Sequence, residues 1–199
     1  MAAVRTVLIV LIAILGAAFA WLAFEWSRSD TALAENPYGV AFQLVDQTGA
    51  PITEAAFQDK PTALFFGFTH CPEVCPTTLF EMDGWLQAVD PDGDRINAYF
   101  VTVDPERDTH DILGQYISNV TKRVVGITGE PEKVRAMAKG FNVYFKRVPI
   151  DQESGDDDYT MDHFASIFLL GDGGRFKSTI AYGENSDIAI KKLENLIEG

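Results

Sequence analysis

A mixed α/β sheet covered by helices on both faces, carried behind one membrane-crossing helix, is the architecture this sequence predicts, and three observations predict it. Residues 7–24 are an uncharged apolar stretch near the N-terminus, which as a helix spans about 27 Å, close to the hydrocarbon thickness of a bilayer. Beyond it, apolar runs of strand length alternate with amphipathic helical patterns, the rhythm of strand and helix layers packed on one core. The order then changes to a strand, a Gly171-Asp172-Gly173-Gly174 turn, a second strand and a last helix, so a hairpin joins the sheet and makes it mixed.

Arg5 precedes the apolar stretch and acidic residues dominate after it, so the positive-inside tendency places the N-terminus in the cytoplasm and the remainder outside. Ala18-Phe19-Ala20 and Ala32-Leu33-Ala34 resemble small-residue cleavage sites. The apolar run continues through Trp21 and Phe24 past the first of them, and Trp21 and Trp26 suit an interfacial belt, so an uncleaved anchor is expected. No cysteine lies near this segment to carry a lipid. The expected organisation is an anchor over residues 1–28, a polar linker over 29–40 and one domain over 41–199. Its expected place is a bacterial-type inner membrane, single-pass, with the soluble domain in the periplasm, an oxidising compartment.

Within the domain, residues 40–45 alternate enough for an edge strand that ends at Thr48-Gly49. Residues 62–68 form the first central strand. Residues 76–89, with Leu79, Met82, Leu86 and Val89 at helical intervals, form the next helix. Residues 96–103 are a second buried run, and 109–118, with Ile112, Leu113, Tyr116 and Ile117, an amphipathic helix. A short strand at 124–128 precedes a helix that Pro131 opens, Val134, Met137 and Ala138 face inward, and Gly140 ends. Strands at 143–150 and 166–170, the glycine turn, a strand at 175–182 and a helix at 186–197 complete the chain.

The formal net charge is −13, so nucleic acid is excluded as a partner. Acidity favours attraction of cations or of a basic protein surface, although its ordinary meaning is solubility.

The two cysteines of the chain, Cys71 and Cys75, sit in Phe68-Thr69-His70-Cys71-Pro72-Glu73-Val74-Cys75-Pro76, where the 62–68 strand gives way to a helix. Residues four apart near a helix start present their side chains on one face, so two sulfurs can converge on one metal ion or on each other. Spacing does not choose between these. A purely structural disulfide here would close a very short loop and remove little entropy from the unfolded chain. Helix amides and the positive end of the dipole favour the thiolate that metal binding and redox chemistry both require. The strand and helix order resembles a thioredoxin-like fold, in which reactive cysteines occupy this junction.

Two thiolates are a soft donor set that suits Cu(I), and copper commonly takes imidazole as a further ligand. Three histidines are available. His163 is expected to begin a strand after a long polar loop, where a loop can deliver a ligand to a site built elsewhere. His70 adjoins Cys71, and neighbours at a strand end tend to point apart. His110 opens a surface helix beside Asp108 and Asp111.

Three motifs occur in order: Gly67-Phe68-Thr69-His70-Cys71-Pro72-Glu73-Val74-Cys75-Pro76, Val103-Asp104-Pro105-Glu106-Arg107-Asp108-Thr109, and Asp162-His163 before an apolar strand and a Gly-Asp-Gly turn. With the single N-terminal anchor they resemble the Sco/SenC family of copper-binding proteins that assist assembly of cytochrome c oxidase. The resemblance covers the chain from about Phe42 onward. It implies a thioredoxin-like fold, Cys71, Cys75 and His163 as copper ligands, and a role in maturing the dinuclear copper centre of the oxidase. The cofactor it implies is copper, as Cu(I) and also Cu(II) with an added oxygen donor. The partners it implies are the copper-bearing oxidase subunit and an upstream copper donor. A thiol reductant is needed as well, because a disulfide offers the metal no thiolate.

A rival function on the same cysteines is a thiol-disulfide oxidoreductase that reduces the copper-site cysteines of the oxidase, with His163 dispensable. A third is a peroxidase of the peroxiredoxin type. Asp108, just ahead of the 109–118 helix, reads as a helix cap, and Asp104 is left open between ordering the ligand loop and a local role. Residues 151–162 hold six carboxylates and read as a solvated, mobile loop whose motion swings His163 on and off the metal and whose charge concentrates cations.

Overall fold

The apolar N-terminal stretch is helical. In the computed structural model, which describes residues 2–35, 37–150 and 158–199, α1 runs Ala2–Glu35. Its segment Ala3–Trp26, with mean hydropathy 2.8, is long and apolar enough to cross a membrane. The helix continues beyond the apolar stretch into the segment expected as a linker. The chain divides into two compact units, Met1–Asn36 and Pro37–Gly199.

In the second unit the elements follow in the order β1 (Gln43–Asp46), β2 (Pro51–Thr53), β3 (Thr62–Gly67), α2 (Val74–Val89), β4 (Asn97–Thr102), α3 (His110–Ser118), β5 (Val125–Thr128), α4 (Pro131–Gly140), β6 (Phe145–Pro149), β7 (Tyr159–His163), β8 (Ser166–Gly171), β9 (Arg175–Ala181) and α5 (Ser186–Glu198). Seven strands make one sheet in the order β2-β1-β5-β4-β3-β8-β9, and β6 and β7 form a separate two-stranded ribbon. β3, β4 and β5 run parallel, while β8, β9, β1 and β2 join antiparallel. The sheet is therefore mixed, in a thioredoxin-like arrangement.

β3 is buried at every position, which is why its sequence is apolar without alternation: a central strand covered on both faces has no side to turn to water. Phe66, Phe141 and Phe168 meet on one of those faces with centroids 5.6 to 6.1 Å apart. α2 buries Cys75, Leu79, Met82 and Leu86 on one stripe and packs against α5. Pro131 opens α4, which buries Val134, Met137 and Ala138.

Two expectations are corrected. The edge strand starts at Gln43 rather than at residue 40, and Asp46 ends it by accepting bonds from the Thr48 and Ala50 amides. That tight turn leads directly into β2, which Pro51 opens and which is too short to carry a strand pattern. The polar loop expected to run to Asp162 does not do so: Tyr159–His163 is a strand, register-paired with Phe145–Pro149. Tyr159 and Met161 are buried on one face of it, so His163 closes a strand instead of following a loop. Residues 151–157, including Asp156 and Asp157, lie outside the described residues.

Candidate metal centre

Cys71 lies in the turn between β3 and α2, and Cys75 in the first turn of α2. The Cys71 amide donates to the Phe68 carbonyl at 3.3 Å, which folds the loop back on the strand end. The Cys75 amide in turn donates to Cys71 Sγ at 3.3 Å, so the helix start directs an N–H at the sulfur. Cys71 is half-buried and Cys75 buried, both as free thiols. Cys75 is admitted by a glycine: a Cβ on Gly67 would lie 2.8 Å from Cys75 Sγ and 2.8 Å from the Phe100 ring. Any side chain at the end of β3 would occupy the space of that sulfur.

His163 arrives from the ribbon. β6 pairs Phe145 opposite it, and its ring stands edge-on to Phe65 and Phe68 at 6.2 and 5.7 Å. Its Nδ1 is 3.1 Å from the Phe164 carbonyl oxygen. A carbonyl only accepts, so Nδ1 carries the proton and Nε2 keeps its lone pair. That Nε2 lies 3.6 Å from Cys75 Sγ. The ligand atoms of Cys71, Cys75 and His163 all lie within 4.8 Å of one another. Metal bonds of about 2.0–2.3 Å place donors at most about 4.6 Å apart, so the trio needs little closure to share an ion. His70 and His110 stand outside this cluster.

The two thiols are unlike. The Cys75 thiol donates to Cys71 and, against the opposing effect of burial, the Cys75 and Glu73 amides help bring the Cys71 pKa down to about 4. Cys75 moves the other way: its proton is held by Cys71, burial disfavours its charge, and the neighbouring thiolate repels it. Cys71 is therefore a thiolate at neutral pH. Its alkylation by iodoacetamide, followed by mass spectrometry on the reduced protein, is expected to keep nearly the same rate from about pH 8 to about pH 5, where an ordinary thiol of pKa about 8.5 slows close to tenfold per pH unit. A Cys71 rate that falls steeply across that window would contradict the stabilised thiolate.

Asp108 does not cap α3. That place belongs to Thr109, whose side chain accepts from the Ile112 amide. The Asp108 side chain is fully buried and accepts from the Thr69 amide at 3.0 Å, Thr69 Oγ1 at 2.5 Å and Thr102 Oγ1 at 2.6 Å. One carboxylate thus ties the cysteine loop to the end of β4, and its backbone carbonyl takes the Thr128 hydroxyl of β5. Burial pushes its pKa up, opposed by the threonine bonds.

Asp104 organises the other arm. It is buried, pairs with the Arg107 guanidinium and accepts from the Tyr159 hydroxyl at 2.8 Å. Arg107 also donates to the Tyr159 carbonyl at 2.9 Å. Arg107 and Arg147 stack on the Tyr159 ring at 3.7 and 4.0 Å. The start of β7, the strand that ends at His163, is thereby pinned to the turn after β4. This role of Tyr159 and Arg107 was missed at the sequence level. The signal was present in the Tyr-Thr-Met alternation, hidden behind the acidic run.

The fold agrees with that of similar chains. The SCO1/SenC family model matches residues 30–198. Protein SCO2, mitochondrial, of Saccharomyces cerevisiae is 32% identical over 161 residues, covering 80% of this chain and 53% of the relative. The mouse SCO2 homolog, mitochondrial, is 33% identical over 193 residues, covering 92% and 72%. The chain spans about half the length of the yeast relative and of the SCO1 homolog 1 of Arabidopsis thaliana. The structure of Bradyrhizobium japonicum ScoI with copper bound superposes with a TM-score of 0.72 at 41% identity, covering 80% of this chain and 99% of that one. Yeast Sco1 with copper bound gives 0.73 at 27% identity, covering 82% and 90%. With a family match across nearly all of its second unit and relatives of this extent, the chain belongs to the SCO1/SenC family.

Proposed function

We propose that this chain is a membrane-tethered copper carrier that holds copper through Cys71, Cys75 and His163 and delivers it to the dinuclear copper centre of cytochrome c oxidase during assembly. The observation that carries the proposal is the convergence of two sulfurs and one unprotonated imidazole nitrogen within 4.8 Å. Two soft sulfurs with one nitrogen favour Cu(I), and an added oxygen donor extends the set to Cu(II). The copper-bound relatives support the same metal. Residues 1–28 serve as anchor, 29–40 as tether and 41–199 as the carrying domain, in a bacterial-type inner membrane with that domain in the periplasm.

Copper is cargo here, so the site must release it as well as bind it. Cys71 is only half-buried and is the thiolate an acceptor ligand displaces; Cys75 gives up its proton on loading. An upstream copper donor fills the site and the copper-bearing oxidase subunit empties it. A disulfide between the cysteines leaves no thiolate, so a thiol reductant acts first. The test is anaerobic Cu(I) titration against a competing chelator. The reduced chain is expected to take one ion and the oxidised chain none. Equal uptake by both forms would refute a thiolate site.

A second reading, thiol-disulfide exchange with the oxidase cysteines, is favoured by the low pKa of Cys71 beside a protonated Cys75, the asymmetry such exchange uses. The two readings part at His163, which only the carrier requires.

A further inference from the structure

His70 is a metal-competent side chain that the three-donor site leaves unused. It directly precedes Cys71, and its side chain is 54% exposed. Its Nδ1 lies 3.1 Å from Thr69 Oγ1, and the same oxygen lies 2.5 Å from Asp108 Oδ1. A threonine has one hydroxyl proton to give. Asp108 accepts from the Thr69 amide and from the Thr69 and Thr102 hydroxyls, and His70 Nδ1 stands 3.9 Å from its Oδ1, so the Thr69 proton goes to the carboxylate and the Thr69 oxygen accepts from His70. Neutral His70 therefore carries its proton on Nδ1 and keeps the Nε2 lone pair free. Among the described residues, no hydrogen-bond partner takes that Nε2.

One ring nitrogen held through a hydroxyl by a buried carboxylate, with the other free on an exposed ring, is the arrangement that prepares an imidazole for a metal. Building on the carrier reading above, we infer that His70 is a transient port ligand: its Nε2 engages Cu(I) as the ion enters or leaves past Cys71, without belonging to the resting site. Cys75 is buried and Cys71 half-buried, so Cys71 is the more accessible of the two cysteines, and the exposed His70 directly precedes it. The step is an exchange of donors on Cu(I). No electron moves, and no proton has to leave His70, because Nε2 is already bare.

Two measurements test it, both on the full chain in detergent. The first is the anaerobic stopped-flow rate of Cu(I) transfer from the loaded chain to a chromogenic chelator. His70→Ala is expected to slow transfer about tenfold while leaving equilibrium affinity unchanged, an effect of the size seen when a group supporting a metal site is lost. Thr69→Val, which releases Nδ1, is expected to slow it as well. His110→Ala removes another exposed imidazole, on α3, and is expected to match the unaltered chain. The second is the nitrogen chemical shifts of the copper-free chain, expected to show His70 protonated at Nδ1 and Thr69→Val to abolish that preference. Equal transfer rates for His70→Ala and the unaltered chain would overturn the port, as would an affinity loss equal to the rate loss, which would make His70 a resident ligand. A chain that takes up no Cu(I) at all would overturn the port together with the carrier reading, and that failure is visible in the unaltered chain alone.

Discussion

Asp108→Ala is expected to lower the stability of the soluble domain by about 3 kcal/mol or more and to loosen the copper site in the same stroke. The substitution removes the acceptor for three donors at once, the Thr69 amide and the Thr69 and Thr102 hydroxyls, and each buried donor left unpaired costs about 1–3 kcal/mol. For a domain of this size that corresponds to a fall in Tm of about 6–12 °C, readable by calorimetry or circular dichroism. Asp108→Asn keeps one acceptor oxygen and is expected to lose about half as much. The pH dependence separates the two roles of the carboxylate. Burial raises the Asp108 pKa above its unfolded value, so its contribution to stability is full below about pH 3.9 and declines as pH rises through the folded pKa. The Asn variant has no such titration, and the difference in stability between it and the unaltered chain is expected to shrink as pH rises above about 4. A difference that grows with pH would contradict the assigned direction.

His163→Ala is expected to reduce Cu(I) affinity by about 100-fold or more, at least the upper end of what loss of a supporting residue alone brings about, while the domain stays folded. The ring ends β7 and packs edge-on against Phe65 and Phe68, but the strand is held at its other end by Tyr159, Arg107 and Asp104. Its register with β6 also survives the loss. Thiol-disulfide exchange by Cys71 and Cys75 is expected to persist in this variant, since the Phe68 carbonyl and the Cys75 amide still hold the cysteine loop. Chelator competition and a disulfide-exchange assay on the same preparation check both halves. Lost copper affinity with full support of oxidase maturation would favour the exchange reading over the carrier.

The fold was legible wherever one physical demand dominated a segment. β3 and β4 had no polar side to present and so read as central strands, and α4 carried its own start and stop in Pro131 and Gly140. β2 was illegible because three residues hold no period. β7 was lost because the acidic run before it outweighed the alternation of Tyr159 and Met161.

At the site, the cysteine pair spoke through local spacing, since the two positions lie four residues apart across the start of α2. The third donor had no local signature. His163 lies 88 residues from Cys75, and the topology that brings β7 to the end of β3 is a property of the whole sheet and ribbon. Resemblance, rather than periodicity, singled it out. Asp108 was misread for a related reason. An aspartate just ahead of a helix has a ready local partner in the helix amides, and its actual partner Thr69 is 39 residues away. Local patterns could not weigh that bond against the cap.

X-ray absorption at the copper edge of the anaerobically loaded, reduced chain tests the central claim most directly. The account predicts two sulfur neighbours and one imidazole nitrogen at about 2.0–2.3 Å, with the nitrogen lost in His163→Ala. Copper bound by sulfur alone, or a nitrogen shell that survives that substitution, would contradict it.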